Sequence, residues 1–221
     1  MDKPLNKFVD HTILKAFAGV NEITKLCDEA KKYDFASVCV NPSNVPLAKK
    51  LLAATDVKVC TVIGFPLGAN TTAIKAAETA DAYANGCDEF DMVINVGALK
   101  DKRDDVVLAD IQAVVAEAKG KCVKVIIETF FLNDEEKARD VELSCQAGAT
   151  FVKTCTGFND GVATVADVAL MKKTARGRAK VKASSGIRTY ADAKSLIDAG
   201  AERLGTSAGA KILAEFEQGN K

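Results

Sequence analysis

Eight short runs rich in β-branched and other apolar residues recur along the chain, at 8–14, 36–41, 57–64, 89–95, 123–128, 151–156, 180–184 and 203–206. Each is followed by a stretch of helical periodicity, at 21–33, 43–54, 71–85, 104–119, 134–147, 162–175, 190–199 and 209–216. Asn21, Ser43, Asn133 and Thr189 stand where helix N-caps are wanted. Gly86, Gly148 and Gly200 stand where helices stop, each leading straight into the next strand-like run. Strict alternation of this kind implies parallel strands joined by right-handed crossovers. Eight units in 221 residues fit a compact (β/α)8 TIM barrel, read as a single domain over 1–221. A doubly wound open sheet is the competitor, and the lack of a G-x-G-x-x-G after the first strand weakens it.

Composition narrows the function classes. Thirty basic residues balance thirty acidic ones, so no global field favours nucleic acid or an anionic membrane, and any anion site must be local. No apolar run reaches the length of a signal sequence or a membrane span, which leads to the expectation of a soluble, cytoplasmic protein. Seven cysteines are scattered without a C-x-x-C pair and read as reduced core thiols. With His11 the single histidine, no metal site and no cofactor are expected.

Side chains two apart on a strand share a face. Glu89, Asp91, Val93 and Asn95 therefore go together, as do Lys124, Ile126 and Glu128, then Phe151, Lys153 and Cys155, then Lys180, Lys182 and Ser184. The complementary sets, such as Phe90, Met92 and Ile94, suit a helix layer. If so, the charges of four consecutive strands converge in the barrel lumen, where an isolated charge is costly and must pair. Lys153 stands in mid-strand, where a buried strand wants Val or Ile. An amine held out of water beside a second cation, for which Lys182 is the candidate, loses its proton more easily and becomes a nucleophile toward carbonyl compounds. The alternatives are a solvated edge lysine and a self-neutralising network that only fills the lumen.

In barrels of this kind reactive groups lie at the C-terminal ends of the strands, and phosphate often binds at the last two loops. Here those loops read Ser184-Ser185-Gly186-Ile187-Arg188-Thr189 and Leu204-Gly205-Thr206-Ser207-Ala208-Gly209, whose small residues let backbone amides approach an anion.

The segments Val9-Asp10-His11-Thr12, Glu89-Phe90-Asp91-Met92-Val93-Ile94-Asn95, Phe151-Val152-Lys153-Thr154-Cys155-Thr156-Gly157 and Lys182-Ala183-Ser184-Ser185-Gly186-Ile187-Arg188-Thr189, in this order, resemble the deoxyribose-phosphate aldolase family. The resemblance runs over nearly the whole chain. It implies a metal-free class I aldolase that reversibly cleaves 2-deoxy-D-ribose 5-phosphate to acetaldehyde and D-glyceraldehyde 3-phosphate. It makes Lys153 the Schiff-base lysine, Lys182 the neighbour whose charge lowers the pKa of Lys153, and Asp91 the acid/base carboxylate. Asp10, Glu128 and Thr156 become supporting groups. Gly157, Ser184, Gly186, Arg188, Gly205 and Ser207 become the phosphate site, acting mainly through main-chain amides. The partner implied is a small sugar phosphate, with the oligomeric state left open to a homo-oligomer.

Three departures from the family pattern stand out. Ser185 occupies a position that more often holds Gly, Phe158 one where some members carry Lys, and the chain ends at Glu215-Phe216-Glu217-Gln218-Gly219-Asn220-Lys221 without a tyrosine-ended tail. His11, adjacent to Asp10, should point the opposite way and serve packing. Cys39 and Cys155 are expected to be inert buried thiols, with Cys155 the better placed for reactivity because it shares the phase of Lys153. The competing functions are another Schiff-base barrel of transaldolase type and a non-catalytic sugar-phosphate-binding barrel.

Overall fold

The computed structural model describes residues 3–219; the last two residues of the chain end noted above, Asn220 and Lys221, lie outside them. Eight parallel strands close in sequence order: β1 (Val9–Ile13), β2 (Ser37–Val40), β3 (Lys58–Ile63), β4 (Glu89–Val93), β5 (Cys122–Ile126), β6 (Phe151–Lys153), β7 (Lys180–Ser184) and β8 (Arg203–Thr206). The last strand pairs with the first, Asp10 standing opposite Gly205, so no sheet edge is left open. The outer helices are α1 (Val20–Tyr33), α2 (Val45–Leu51), α3 (Thr72–Ala84), α4 (Val96–Lys100), α5 (Asp104–Glu117), α6 (Asp134–Gln146), α7 (Val165–Ala175), α8 (Tyr190–Asp198) and α9 (Gly209–Gly219). This is the (β/α)8 barrel that the alternation predicts.

The large core lies between strands and helices, where Val38, Val59, Phe90, Met92, Val125, Val152, Val181 and Leu204 point outward. A much smaller apolar cluster, Leu14, Cys39, Cys60 and Val62, fills one side of the lumen. The rest of the lumen is polar, as the two-residue phase requires.

Helix ends follow local chemistry. Asn133 and Thr189 cap α6 and α8, each forming a reciprocal box with the acidic residue three places on. Gly86, Gly148 and Gly200 take left-handed φ values of 92°, 85° and 114° just past the ends of their helices. Two expected caps are corrected. The first helix starts at Val20 rather than Asn21, because the Glu22 carboxylate accepts the Gly19 amide at 2.7 Å and fixes the start there. Ser43 lies inside a short 3-10 turn, Pro42–Asn44, and α2 begins only at Val45 and ends at Leu51. The helix expected from 162 starts at Val165, where Thr164 accepts the Asp167 amide. The short α4, capped by Asn95, is an element that the periodicity does not reveal.

Candidate active site

Register brings the charged residues together before any loop is considered. Asp91 stands opposite Lys124, Lys153 opposite Lys182, and Lys182 opposite Arg203. Three cations thus sit side by side on β6, β7 and β8. Burial of like charges in contact is possible only with carboxylates between them.

Asp91 supplies the first. Its Oδ1 accepts from Lys124 at 2.8 Å, and its Oδ2 accepts from both Lys153 and Lys182 at 2.7 Å. Asp10 supplies the second, with Lys182 at 2.5 Å from Oδ2 and Arg203 and Ser37 donating to Oδ1. Glu89 is the third: Lys124 lies 2.7 Å from its Oε2 and Arg203 donates to its Oε1 at 3.0 Å. The pairs close on themselves. Passing from Asp91 to Lys124, Glu89, Arg203, Asp10, Lys182 and back to Asp91, anion and cation alternate around the lumen. Lys153 hangs from this circuit at Asp91.

Electrostatics follow from the circuit. Burial alone would raise the Asp91 carboxyl, but Lys124, Lys153 and Lys182 outweigh it and hold it well below the ordinary carboxylate range. Asp10 is likewise held down, against its burial, by Arg203, Lys182 and Lys124. Burial works against the charge on Lys182, and its attraction to Asp10 and Asp91 still leaves its pKa above that of an ordinary lysine. Lys182 is therefore a fixed cation at neutral pH.

A cavity of about 710 Å³ opens over this network at the C-terminal ends of the strands. Of the seven charged lumen groups, Lys153 alone lines it. Gly157, Ser184, Gly186, Arg188, Gly205 and Ser207 all line it too, so the amine and the expected anion loops share one space. Arg188 and Ser207 are exposed, whereas Ser184 is buried with its hydroxyl donating to the Cys155 carbonyl at 2.6 Å. A Cβ on Gly205 would stand 2.9 Å from Ser184 Cβ and 3.2 Å from Lys182 Cε, so this glycine also makes room for the stem of Lys182.

Glu128 and Thr156 meet at the rim, apart from the circuit. Thr156 donates to Glu128 Oε2 through its hydroxyl at 2.5 Å and its amide at 3.2 Å. Glu128 does not continue the inward face of Lys124 as expected, because β5 ends at Ile126 and Glu128 takes a left-handed φ of 54°. Lys180 is also corrected. It shares the phase of Lys182 but begins its strand and is exposed, its ammonium 5.7 Å from the centre of the Phe151 ring. Cys155 does not join Lys153, since β6 ends at Lys153 and the thiol turns to the Thr129 hydroxyl at 3.3 Å. Of these two thiols Cys39 is the one near the lumen charges, next to Cys60, which itself donates to Asp91. His11 points away from Asp10 as expected, its Nε2 2.7 Å from Glu29 and its ring tilted against Phe35.

Three participants escape the sequence reading. Arg203 was legible by phase, since Leu204 faces the helices and its neighbours must face inward. Cys60, which donates to Asp91 Oδ1 at 3.1 Å, and Ser37 carry no such signal. Among the described residues one trio could hold a metal ion, Cys39, Cys60 and Asp91, all buried with donor atoms within 4.8 Å of one another. A cation there would compete with the three ammonium groups already on Asp91.

Of the departures, Ser185 carries the visible cost. Its φ is 80°, a left-handed conformation that suits glycine, and its hydroxyl donates to the Gly161 carbonyl at 2.8 Å. Phe158 lines the cavity and packs edge-on against Phe65.

A (β/α)8 barrel with one amine reaching an open cavity from a buried charge network has the layout of an enzyme of carbonyl chemistry. Comparison with known proteins gives the same class. Residues 4–215 match the DeoC/LacD family aldolase. A deoxyribose-phosphate aldolase of Streptococcus suis is 59% identical over 209 residues, 95% of each chain, and that of Carboxydothermus hydrogenoformans is 57% identical over 217 residues, 96% of this chain and 95% of its own. Among solved structures, a putative deoxyribose-phosphate aldolase from Coccidioides immitis superposes with a TM-score of 0.95 at 44% identity, over 96% of this chain and 85% of its own. The tetrameric deoxyribose phosphate aldolase of Aeropyrum pernix does so with 0.90 at 32%, over 96% and 91%. The chain belongs to the DeoC/LacD family of aldolases.

Proposed function

We infer that this chain, acting as one catalytic domain over 1–221, is a class I deoxyribose-phosphate aldolase that reversibly cleaves 2-deoxy-D-ribose 5-phosphate to acetaldehyde and D-glyceraldehyde 3-phosphate. The observation that carries the reading is Lys153. It is the one lumen charge that lines the cavity, and it shares a carboxylate oxygen with Lys182.

Lys153, once deprotonated, attacks the C1 carbonyl, and loss of water leaves a protonated imine. That imine is the electron sink. As the C2–C3 bond breaks, its electron pair becomes the enamine double bond, while the C3 hydroxyl gives up its proton and becomes the aldehyde of the departing triose phosphate. Protonation of the enamine at C2 and hydrolysis of the imine release acetaldehyde and restore the lysine. Asp91 handles the C3 proton through a water, because it is fully buried and does not itself line the cavity. Lys182 keeps positive charge beside the imine nitrogen and assists proton transfer. Asp10 holds Lys182, and the Glu128–Thr156 pair shapes the rim. The phosphate is bound by Gly157, Ser184, Gly186, Arg188, Gly205 and Ser207, with the start of α9 just beyond Ser207 contributing its amide dipoles.

A cytoplasmic setting fits seven free cysteines. Among the described residues, no helix is long and apolar enough to cross a membrane. A homo-oligomer belongs to the same reading, given the tetrameric relative. Incubation with acetaldehyde and borohydride, followed by peptide mapping, tests the proposal: one ethyl adduct is expected on Lys153, and none in Lys153→Ala. Trapping by dihydroxyacetone-type donors instead would indicate transaldolase-type chemistry, and trapping by neither a binding protein. Acetaldehyde release from deoxyribose 5-phosphate provides the direct assay.

A further inference from the structure

Among the described residues the lumen holds seven ionic side chains, four basic and three acidic, and their arrangement divides them unequally. Six form the closed circuit Asp91, Lys124, Glu89, Arg203, Asp10 and Lys182, in which every carboxylate lies between two cations and the charges cancel. The seventh, Lys153, shares Asp91 with two members of the circuit and leaves the seven groups with one positive charge in excess. Two members of the circuit, Glu89 and Arg203, begin their strands, at the end of the barrel away from the cavity, and neither lines it.

We propose that Glu89 and Arg203 are positioning residues that close the circuit into a neutral unit and thereby make Lys153 the surplus cation of the lumen. Loss of its proton, to water at the cavity mouth, leaves the buried space uncharged and gives up one close ion pair, that with Asp91, whereas loss from Lys124 or Lys182 would give up two. The inference rests on the reading of Lys153 as the nucleophile. It differs from a local effect of Lys182 in one respect: charges at the far end of the barrel, which no substrate touches, set the pH at which the amine works. The other titratable groups on the strands are the thiols Cys39, Cys60 and Cys122 on β2, β3 and β5, His11 on β1, whose ring turns to Glu29, and Lys58 and Lys180, exposed where β3 and β7 begin. Cys155 and Glu128 lie at the strand ends, and Lys15, Glu22, Lys25, Glu29 and Arg188 line the cavity. The thiols add no charge while protonated. Cys60 is kept so by burial, by its contact with Cys39 and by the Asp91 carboxylate.

The sign of each perturbation is fixed by the circuit. Glu89→Gln leaves a second uncompensated cation and makes the Lys153 proton leave more readily. Arg203→Met leaves an uncompensated carboxylate and retains that proton. The measurement is the pH midpoint for trapping acetaldehyde on Lys153 with cyanoborohydride, read by mass spectrometry of the Lys153 peptide. Glu89→Gln is expected to move the midpoint down and Arg203→Met up, each by roughly one pH unit. The double variant Glu89→Gln/Arg203→Met and the charge-conserving Arg203→Lys should both stay at the midpoint of the unaltered protein. A merely structural role would lower the amount of adduct at every pH without opposite shifts.

Single variants that still form the adduct but shift in the same direction, or not at all, overturn the proposal. So does a shifted midpoint in the double variant or in Arg203→Lys, and these two decide the matter if the single variants do not fold. Absence of any Lys153 adduct in the unaltered protein fails the aldolase reading itself and takes this inference with it.

Discussion

Lys153 and Asp91 lie on strands that do not touch, with β5 between them, and still meet at 2.7 Å across the lumen. The barrel is narrow enough for charges on every strand from β4 to β8, and on β1, to join one contact network. The site is thus a property of the closed sheet, and its loops add the cavity and the anion contacts.

Lys182→Leu tests the nearest part of that field. Removing this cation leaves Asp91 and Asp10 each with one partner fewer and three cations against three carboxylates, so that loss of the Lys153 proton would make the lumen negative. The pH midpoint of acetaldehyde trapping on Lys153 should rise by about one pH unit or more. At the same time kcat for deoxyribose 5-phosphate cleavage should fall by about 100-fold or more through loss of assistance to proton transfer. An unchanged pH profile would remove Lys182 from both roles.

Asp140 governs a pH dependence of stability that is separate from catalysis. It is fully buried on α6 with neither carboxyl oxygen hydrogen-bonded, and burial, together with repulsion by Asp104 and against Arg139, pushes it up to about 8. A carboxyl that binds its proton more tightly when folded favours the native state fully below its unfolded value near 4. That contribution is lost progressively as pH rises to about 8. Unfolding in denaturant should therefore show stability declining from pH 4 to pH 8. Asp140→Asn should remove this slope and stabilise the protein at pH 8 by on the order of 3 kcal/mol, with little effect at pH 4.

Much of the fold was legible because its signals are local. Alternation of two periods gives the barrel, and the two-residue phase sends Glu89, Asp91, Lys124, Lys153 and Lys182 inward, where the structure has them. Closure was not legible. Arg203 has the inward phase, set by Leu204 on the other face, but its link to Asp10 needs β8 to meet β1, which phase does not show. Phase also says nothing about how far a strand extends. Lys180 has the inward phase but lies at the open start of β7, and Glu128 and Cys155 lie beyond the last paired residues of their strands. The caps expected at Asn21 and Ser43 failed for a related reason. Glu22 reaching back to Gly19, and Pro42 starting a tight turn, are specific contacts that a preference for Asn or Ser does not encode.

Phe158→Lys tests the charge of the anion site. The cavity wall at residue 158 is a half-exposed phenyl ring, and the two loops of the expected anion site, 184–189 and 204–209, bring Arg188 as their cation. An ammonium there should lower KM for the sugar phosphate by about threefold at low salt, with kcat unchanged, and the gain should fade as ionic strength rises. Steady-state kinetics at two salt concentrations provide the check. A salt-independent effect would point to packing against Phe65 instead.

Gly205→Ala separates two jobs that fall on one residue. As an anion-binding position, Gly205 should govern KM. As the residue that gives the Lys182 stem its space, it should govern kcat, because a methyl group would meet Ser184 Cβ at 2.9 Å and Lys182 Cε at 3.2 Å. Ser184 is anchored by its bond to the Cys155 carbonyl, so the closer contact must be relieved by the local backbone, and the Lys182 stem must give by a few tenths of an ångström as well. Displacing it weakens the contacts to Asp91 and Asp10 together. Gly205→Ala should therefore fold with a loss of about 1–3 kcal/mol from overpacking. Its kcat should drop at least about tenfold with KM changed far less. Should KM rise with kcat intact, the glycine serves the anion and the lysine has room to spare.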